Sequence, residues 1–172
     1  MDASLKTKKA GESGERTRKG QEPDAGAVIK TVAIIGAGQM GNGIAHVVSL
    51  AGYNVLMSDL KKEAVDKALA SIEKNMARQV SRGLITEAEM THALQRVSYA
   101  PDAAAIGQAD LIIEAATEDE TIKRKIFADL LPQLKKGAML ASNTSSISIT
   151  RLASTTDRPE RFIGMHFMNP VP

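Results

Sequence analysis

An apolar, β-branched run, Val28-Ile29-Lys30-Thr31-Val32-Ala33-Ile34-Ile35, breaks directly into Gly36-Ala37-Gly38-Gln39-Met40-Gly41. A buried strand that ends in G-x-G-x-x-G leaves a chain few folds to choose from. A helical stretch follows from Asn42 to about Leu50 and is closed by Gly52. In such a unit Gly36 makes the tight turn, Gly38 lets the backbone approach a pyrophosphate, and Gly41 lets the helix pack close to the strand. Ala37, Gln39 and Met40 complete the loop, and the helix start offers free N–H groups and a positive dipole end to phosphate. A second strand, Asn54-Val55-Leu56-Met57-Ser58, ends at Asp59, eighteen residues beyond Gly41. A carboxylate there takes the adenosine ribose hydroxyls. The plainer alternative, a glycine-rich turn with a helix-capping Asp59, leaves the order of strand, turn, helix, strand and acid unexplained.

With 172 residues the chain has room for one full domain and little more. Hydrophobic residues make up 43% but aromatics only 3%, so aliphatic side chains and Met must fill the core. A net charge of +2 with 24% charged residues describes a mixed surface with no nucleic-acid footprint. Without Cys there is no disulfide and no thiolate metal site, which suits a reducing compartment and a cytoplasmic location. No apolar run approaches the length of a membrane span.

Residues 1–27 hold no Val, Ile or aromatic residue and mix Lys, Arg, Glu, Gly and Ser. Such a segment buries too little apolar surface to offset its ordering entropy, so it reads as a disordered tail. Its basic residues are interrupted by Asp2, Glu12, Glu15, Glu22 and Asp24, which argues against a transit peptide, and it lacks a secretory apolar core.

Beyond Asp59 the period becomes helical. Val65, Leu69, Ile72, Met76 and Val80 mark one apolar face, Gly83 stops the helix, and Thr86 with Glu89 forms a capping box that opens a second one. This hairpin is longer than a crossover needs and is expected to project from the sheet. Val97-Ser98-Tyr99 reads as a short strand, Pro101-Asp102 as the start of a brief helix, and Asp110-Leu111-Ile112-Ile113-Glu114-Ala115 as a buried strand. Ile122, Ile126, Phe127, Leu130 and Leu134 form another helical stripe. A strand over 138–142, a polar turn and a helical segment through Ile149 and Leu152 follow. Phe162 to Phe167 reads as the last strand. Strands alternating with helices predict a mostly parallel, doubly wound α/β sheet that binds ligands beyond the strands' carboxyl ends. Asp59, Glu118, Ser142 to Ser146 and His166 to Asn169 all fall there.

Of three histidines, His46 lies among apolar helix residues and reads as packing, and His92 lies in the charged hairpin. His166 sits at a strand end beside a polar cluster, where a histidine can take a proton from an alcohol. A structural histidine is the alternative. The run Ser142-Asn143-Thr144-Ser145-Ser146 fits either a helix cap or a set of donors facing a carbonyl oxygen or a nicotinamide.

The stretches Gly36–Ala45, Glu114–Asp119, Ser142–Ser146 and His166-Phe167-Met168-Asn169-Pro170-Val171-Pro172 resemble the L-3-hydroxyacyl-CoA dehydrogenase family. The likeness runs from about Val28 to Pro172. It implies a Rossmann domain, NAD as cofactor, an acyl-CoA substrate, and a place in fatty acid metabolism. By the same resemblance His166 matches the catalytic base and Ser145 the serine touching both substrate oxygen and cofactor. Glu118, Lys123 and Asn169 match cofactor-contacting positions, alongside the loop residues and Asp59. Asn75 and Arg82 fall where the family contacts coenzyme A, with Arg82 standing where a lysine is common. The family's second domain is all-helical and supplies homo-oligomer contacts, and the family's histidine pairs with a glutamate downstream of the Asn-Pro-Val-Pro motif. That glutamate would lie beyond Pro172, so this chain is expected to bind NAD with little turnover alone. The alternatives are a stand-alone NAD-binding module and a dehydrogenase of free hydroxy acids.

Overall fold

The computed structural model of the protein describes residues 28–171. The expected tail at 1–27 lies outside the described residues, as does Pro172. The elements are β1 (Thr31–Ile35), α1 (Gln39–Leu50), β2 (Asn54–Ser58), α2 (Lys62–Ser81), α3 (Glu87–Gln95), β3 (Val97–Tyr99), α4 (Ala103–Ile106), β4 (Leu111–Glu114), α5 (Glu120–Leu130), β5 (Met139–Ser142), α6 (Ile149–Ala153) and β6 (Phe162–Gly164).

Six strands pair in the order β3-β2-β1-β4-β5-β6, every pair parallel. The sheet is thus wholly parallel, with its order reversing between β1 and β4. All strands end on one side, and the crevice at the reversal is where a ligand finds both halves of the sheet. Successive β1 side chains serve opposite layers, as the two-residue strand period requires. Val32 and Ile34 join Ile44, Val65, Ile72 and Met76 of α1 and α2, while Ala33 joins Ile112, Leu140, Phe127 and Leu130 under α5. Phe127 also meets Phe162 edge-on, ring centroids 4.9 Å apart.

The hairpin α2–α3 forms as its signals require. Gly83 takes φ +68° after α2, and Thr86 and Glu89 bond reciprocally at the start of α3. Its inner residues Val65, Ala68, Ile72, Met76 and Ala93 share a core cluster with Ile44 and Ala45 of α1, leaving Arg82 to Leu84 exposed at its turn. No described helix is long and apolar enough to cross a membrane.

Several boundaries differ from those read in the sequence, and two of them bear on the crevice. The first helix begins at Gln39, not Asn42, because the last three residues of the glycine motif already wind into its first turn. The last strand ends at Gly164 rather than Phe167. The Phe167 N–H donates to the Asn143 side chain at 2.7 Å instead of to a neighbouring strand, so His166 stands on a loop.

His46 is fully buried on α1. Its Nε2 lies 3.0 Å from Gln79 Oε1 on α2, and Nδ1 faces no partner among the described residues. Burial holds the imidazole's pKa below its ordinary 6.5, against the raising effect of the Gln79 bond. The unfolded chain therefore binds a proton that the folded chain refuses. This contribution to stability is complete above about pH 6.5 and declines as the pH falls below it. Urea midpoints are expected to drop more steeply between pH 7 and 5 for the wild type than for His46→Gln. Parallel curves would show that His46 is not the group responsible.

Candidate active site

The crevice at the strand ends is built first by backbone. Gly36 leaves β1 at φ +100°, and a Cβ there would come within 2.6 Å of the Ala116 Cα and 2.7 Å of the Ala115 oxygen. Gly41 lies still closer to its surroundings, since a Cβ would stand 1.7 Å from the Gly36 oxygen. Gly38 meets nothing within 4 Å, so the opening at the N-terminus of α1 remains clear. That terminus has no side-chain cap and no acid in its first turn. Free N–H groups with an unobstructed approach are what a pyrophosphate needs.

Asp59, one residue past β2, accepts the Ala37 N–H at 2.8 Å through Oδ2. The Gly36 N–H donates to the Ser58 carbonyl at 2.8 Å. Asp59 and the glycine loop are thus one hydrogen-bonded unit. The residues present fit NAD.

On the other side of the crevice a cleft of about 360 Å³ is lined by Met40, Glu118, Lys123, Asn143, Ser145 and His166, among others. Glu118 follows β4 and is half exposed. Its Oε1 accepts from the Thr144 hydroxyl, the Ser145 N–H at 3.1 Å, and both the N–H (3.1 Å) and hydroxyl (2.8 Å) of Ser146. Desolvation pushes its pKa upward, but these donors outweigh it and hold the carboxyl at about 2. The serine run is therefore organised around one carboxylate oxygen, and the Ser145 hydroxyl has no protein partner among the described residues.

Lys123 departs from the helical stripe read in the sequence. Ile122 is 49% exposed, whereas Lys123 is 1% exposed and points inward with Phe127 and Leu130. The cause is Glu114, a fully buried carboxylate at the end of β4, whose Oε2 accepts from Lys123 Nζ at 2.5 Å. Neither the pairing nor Glu114 itself was picked out from the sequence as part of the site. The available signal was an acid closing a buried apolar strand, nine residues before a lysine on the inward face of a helix.

The segment after His166 folds back over α1. Gln39 Nε2 donates to Asn169 Oδ1 at 2.9 Å, across a cis Asn169–Pro170 bond from Val171, which packs on Gly43. A Cβ at Gly43 would lie 2.6 Å from the Val171 Cβ. Asn143 anchors the other end of the segment through Phe167. The structure thus brings His166, Ser145, Glu118, Lys123 and Asn169 together beside Met40 of the glycine motif. Asn75 and Arg82 lie elsewhere, on α2 and at its C-terminal cap, and neither lines the cleft.

A carboxyl with a lowered pKa contributes order that is complete above its unfolded value and lost as the pH falls through its folded one. The Ser145 and Ser146 amide resonances are accordingly expected to hold their neutral-pH positions down to about pH 3.5, since the hydrogen-bonded carboxylate stays charged. Movement with a midpoint near the ordinary glutamate value would show that Glu118 does not organise the turn.

The chain matches the family model described as 3-hydroxyacyl-CoA dehydrogenase, NAD binding domain, over residues 31–172. It is 56% identical over 146 residues to a 3-hydroxybutyryl-CoA dehydrogenase of Bradyrhizobium diazoefficiens, covering 85% of this chain and 50% of that protein. Among solved structures, the (S)-3-hydroxybutyryl-CoA dehydrogenase of Ralstonia eutropha is 44% identical with a TM-score of 0.81, over 84% of this chain and 51% of that one. The corresponding enzyme of Escherichia coli is 40% identical with a TM-score of 0.82, over 85% of this chain and 31% of that one. The chain spans about half the length of the curated 3-hydroxybutyryl-CoA dehydrogenases it matches. A wholly parallel sheet, an uncapped glycine-loop helix and this match together make the chain a member of the 3-hydroxyacyl-CoA dehydrogenase family, carrying its NAD binding domain.

Proposed function

We propose that this chain is the cofactor-binding half of an NAD-dependent dehydrogenase of 3-hydroxyacyl-CoA substrates, with His166 and Ser145 as its reacting groups. The observation that carries the reading is one cleft, lined by His166, Ser145, Glu118 and Lys123 and bordered by Met40 of the phosphate-binding helix. NAD, when bound, takes up the hydride that leaves C3 of the substrate. The chain's own part is the proton. A ring nitrogen of His166 accepts it from the C3 hydroxyl as that oxygen becomes a carbonyl, and returns it in the reverse direction. Ser145 donates its free hydroxyl to the same oxygen, its backbone N–H being held by Glu118. Such a donor, fixed before the substrate arrives, stabilises charge on the oxygen without reorganising.

Glu118, Lys123 and Asn169 are proposed as contacts on the nicotinamide side, with the 36–41 loop and Asp59 holding the rest of the dinucleotide. Asn75 and Arg82 are proposed as coenzyme A contacts. Arg82 is exposed at the end of α2, where a guanidinium can take a phosphate. A histidine base works best with a partner that orients its second nitrogen. Among the described residues His166 has no such partner, and residues 1–172 are expected to bind NAD with little turnover.

Three outcomes follow. Calorimetry should find NAD preferred over NADP, because Asp59 repels a 2′-phosphate and the exposed Leu60 beside it brings no charge. Asp59→Ala should narrow the gap, and equal affinities in the wild type would sink the assignment. A steady-state assay of residues 1–172 with acetoacetyl-CoA and NADH should give turnover well below the roughly 10 s⁻¹ typical of enzymes. In a longer form that does turn over, His166→Gln should lower kcat by about 10²–10⁴-fold and change NAD affinity much less. Near-normal kcat would return His166 to a structural role.

A further inference from the structure

Glu114 is the most deeply buried acid of the site, and the chemistry above gives it no task. It is 0% exposed, and three donors from three segments converge on it. Oε2 accepts from Lys123 Nζ of α5 at 2.5 Å and from Ser142 Oγ at the end of β5 at 2.7 Å. Oε1 accepts the Ala116 N–H at 2.8 Å, in the loop that leads to Glu118. Lys123 is 1% exposed, yet it lines the cleft, and its Nζ lies 3.9 Å from Glu118 Oε2.

A buried ion pair is a poor device for stability alone, because desolvating two charges costs about as much as their attraction returns. What it does secure is geometry. Lysine is a flexible arm with a point charge, and without a fixed acceptor its ammonium would swing to solvent or toward the exposed Glu118. The Ser142 hydroxyl and the Ala116 N–H fix that acceptor in turn. The same carboxylate also ties the floor of the cleft to the first residue of the Ser142–Ser146 run.

We propose that Glu114 is a positioning residue for the cofactor. Through Lys123 Nζ it holds one cation at a set place in the cleft, and through Ser142 it aligns the serine run with that cation. This rests on the proposal that Lys123 meets NAD. Glu114 itself touches no ligand.

The test separates affinity from stability. The full chain is titrated with NAD and unfolded in urea as wild type, Glu114→Gln, Lys123→Met and the double variant. Glu114→Gln leaves the buried ammonium unpaired and should lower the urea midpoint. The double variant removes both charges and should recover much of it. NAD affinity should fall roughly tenfold or more in both single variants, the scale of a lost charged hydrogen bond. It should stay down in the double variant, which should bind no worse than Lys123→Met. Wild-type affinity in Glu114→Gln, or affinity that returns with stability in the double variant, would overturn the inference while leaving NAD binding intact. No binding by the wild type would overturn both. Should Glu114→Gln fail to fold, Glu114→Asp, which keeps the charge and shortens the arm by one methylene, carries the same comparison against the wild type.

Discussion

The start of α1 stands open to the crevice only because two backbones touch. Gly41 brings α1 against Gly36 at the end of β1, and Gly36 in turn lies against Ala115 and Ala116 after β4, with no room for a methyl group at either place. A side chain at Gly41 would push the helix start off the end of β1, and one at Gly36 would strike the Ala115–Ala116 backbone that follows β4. With the helix start displaced, the N–H groups of its first turn would point past the crevice instead of into it. The parallel sheet, the helical layer on α1 and the Asp59 contact with Ala37 all assume that spacing. Overpacking of a close backbone contact is among the few single changes that can disrupt a whole domain.

Around this frame the cleft divides its charges by depth. Glu118 is half exposed and bound by hydroxyl and N–H donors, so its charge is cheap to hold. Glu114 and Lys123 lie out of water and face each other, Nζ 2.5 Å from Oε2. One carboxylate therefore organises the rim of the cleft and the other its floor. The His166 segment comes third, hung between Asn143 and α1.

Much of this was legible in the sequence because local signals and tertiary fold agree. The strand at 54–58, the capping box of Thr86 and Glu89, and the stop at Gly83 rest on short-range chemistry and appear where they were read. His46 and the alternation that implies a doubly wound sheet were legible for the same reason. The failures share a cause. Strand ends are fixed by partners far along the chain, and the choice of the Phe167 N–H for the Asn143 side chain leaves no periodic trace. Lys123 was read outside the buried stripe because a lysine reads as solvent-facing until its acceptor is known. Its acceptor is nine residues away in sequence but on another element. The resemblance to a family named the cleft residues; it could not say which of them the protein holds rigid.

Gly43 belongs to none of the three glycines of the nucleotide motif, and a glycine in mid-helix is costly compared with alanine. Its lack of a side chain makes a socket for Val171. Positions 43 and 171 therefore share one volume: what is added at one must be taken from the other. The glycine-loop motif and the His-Phe-Met-Asn-Pro motif, more than a hundred residues apart, meet at this joint as two halves of a single part. Exchanging either motif between relatives is then a steric question of whether the incoming knob fits the resident hole.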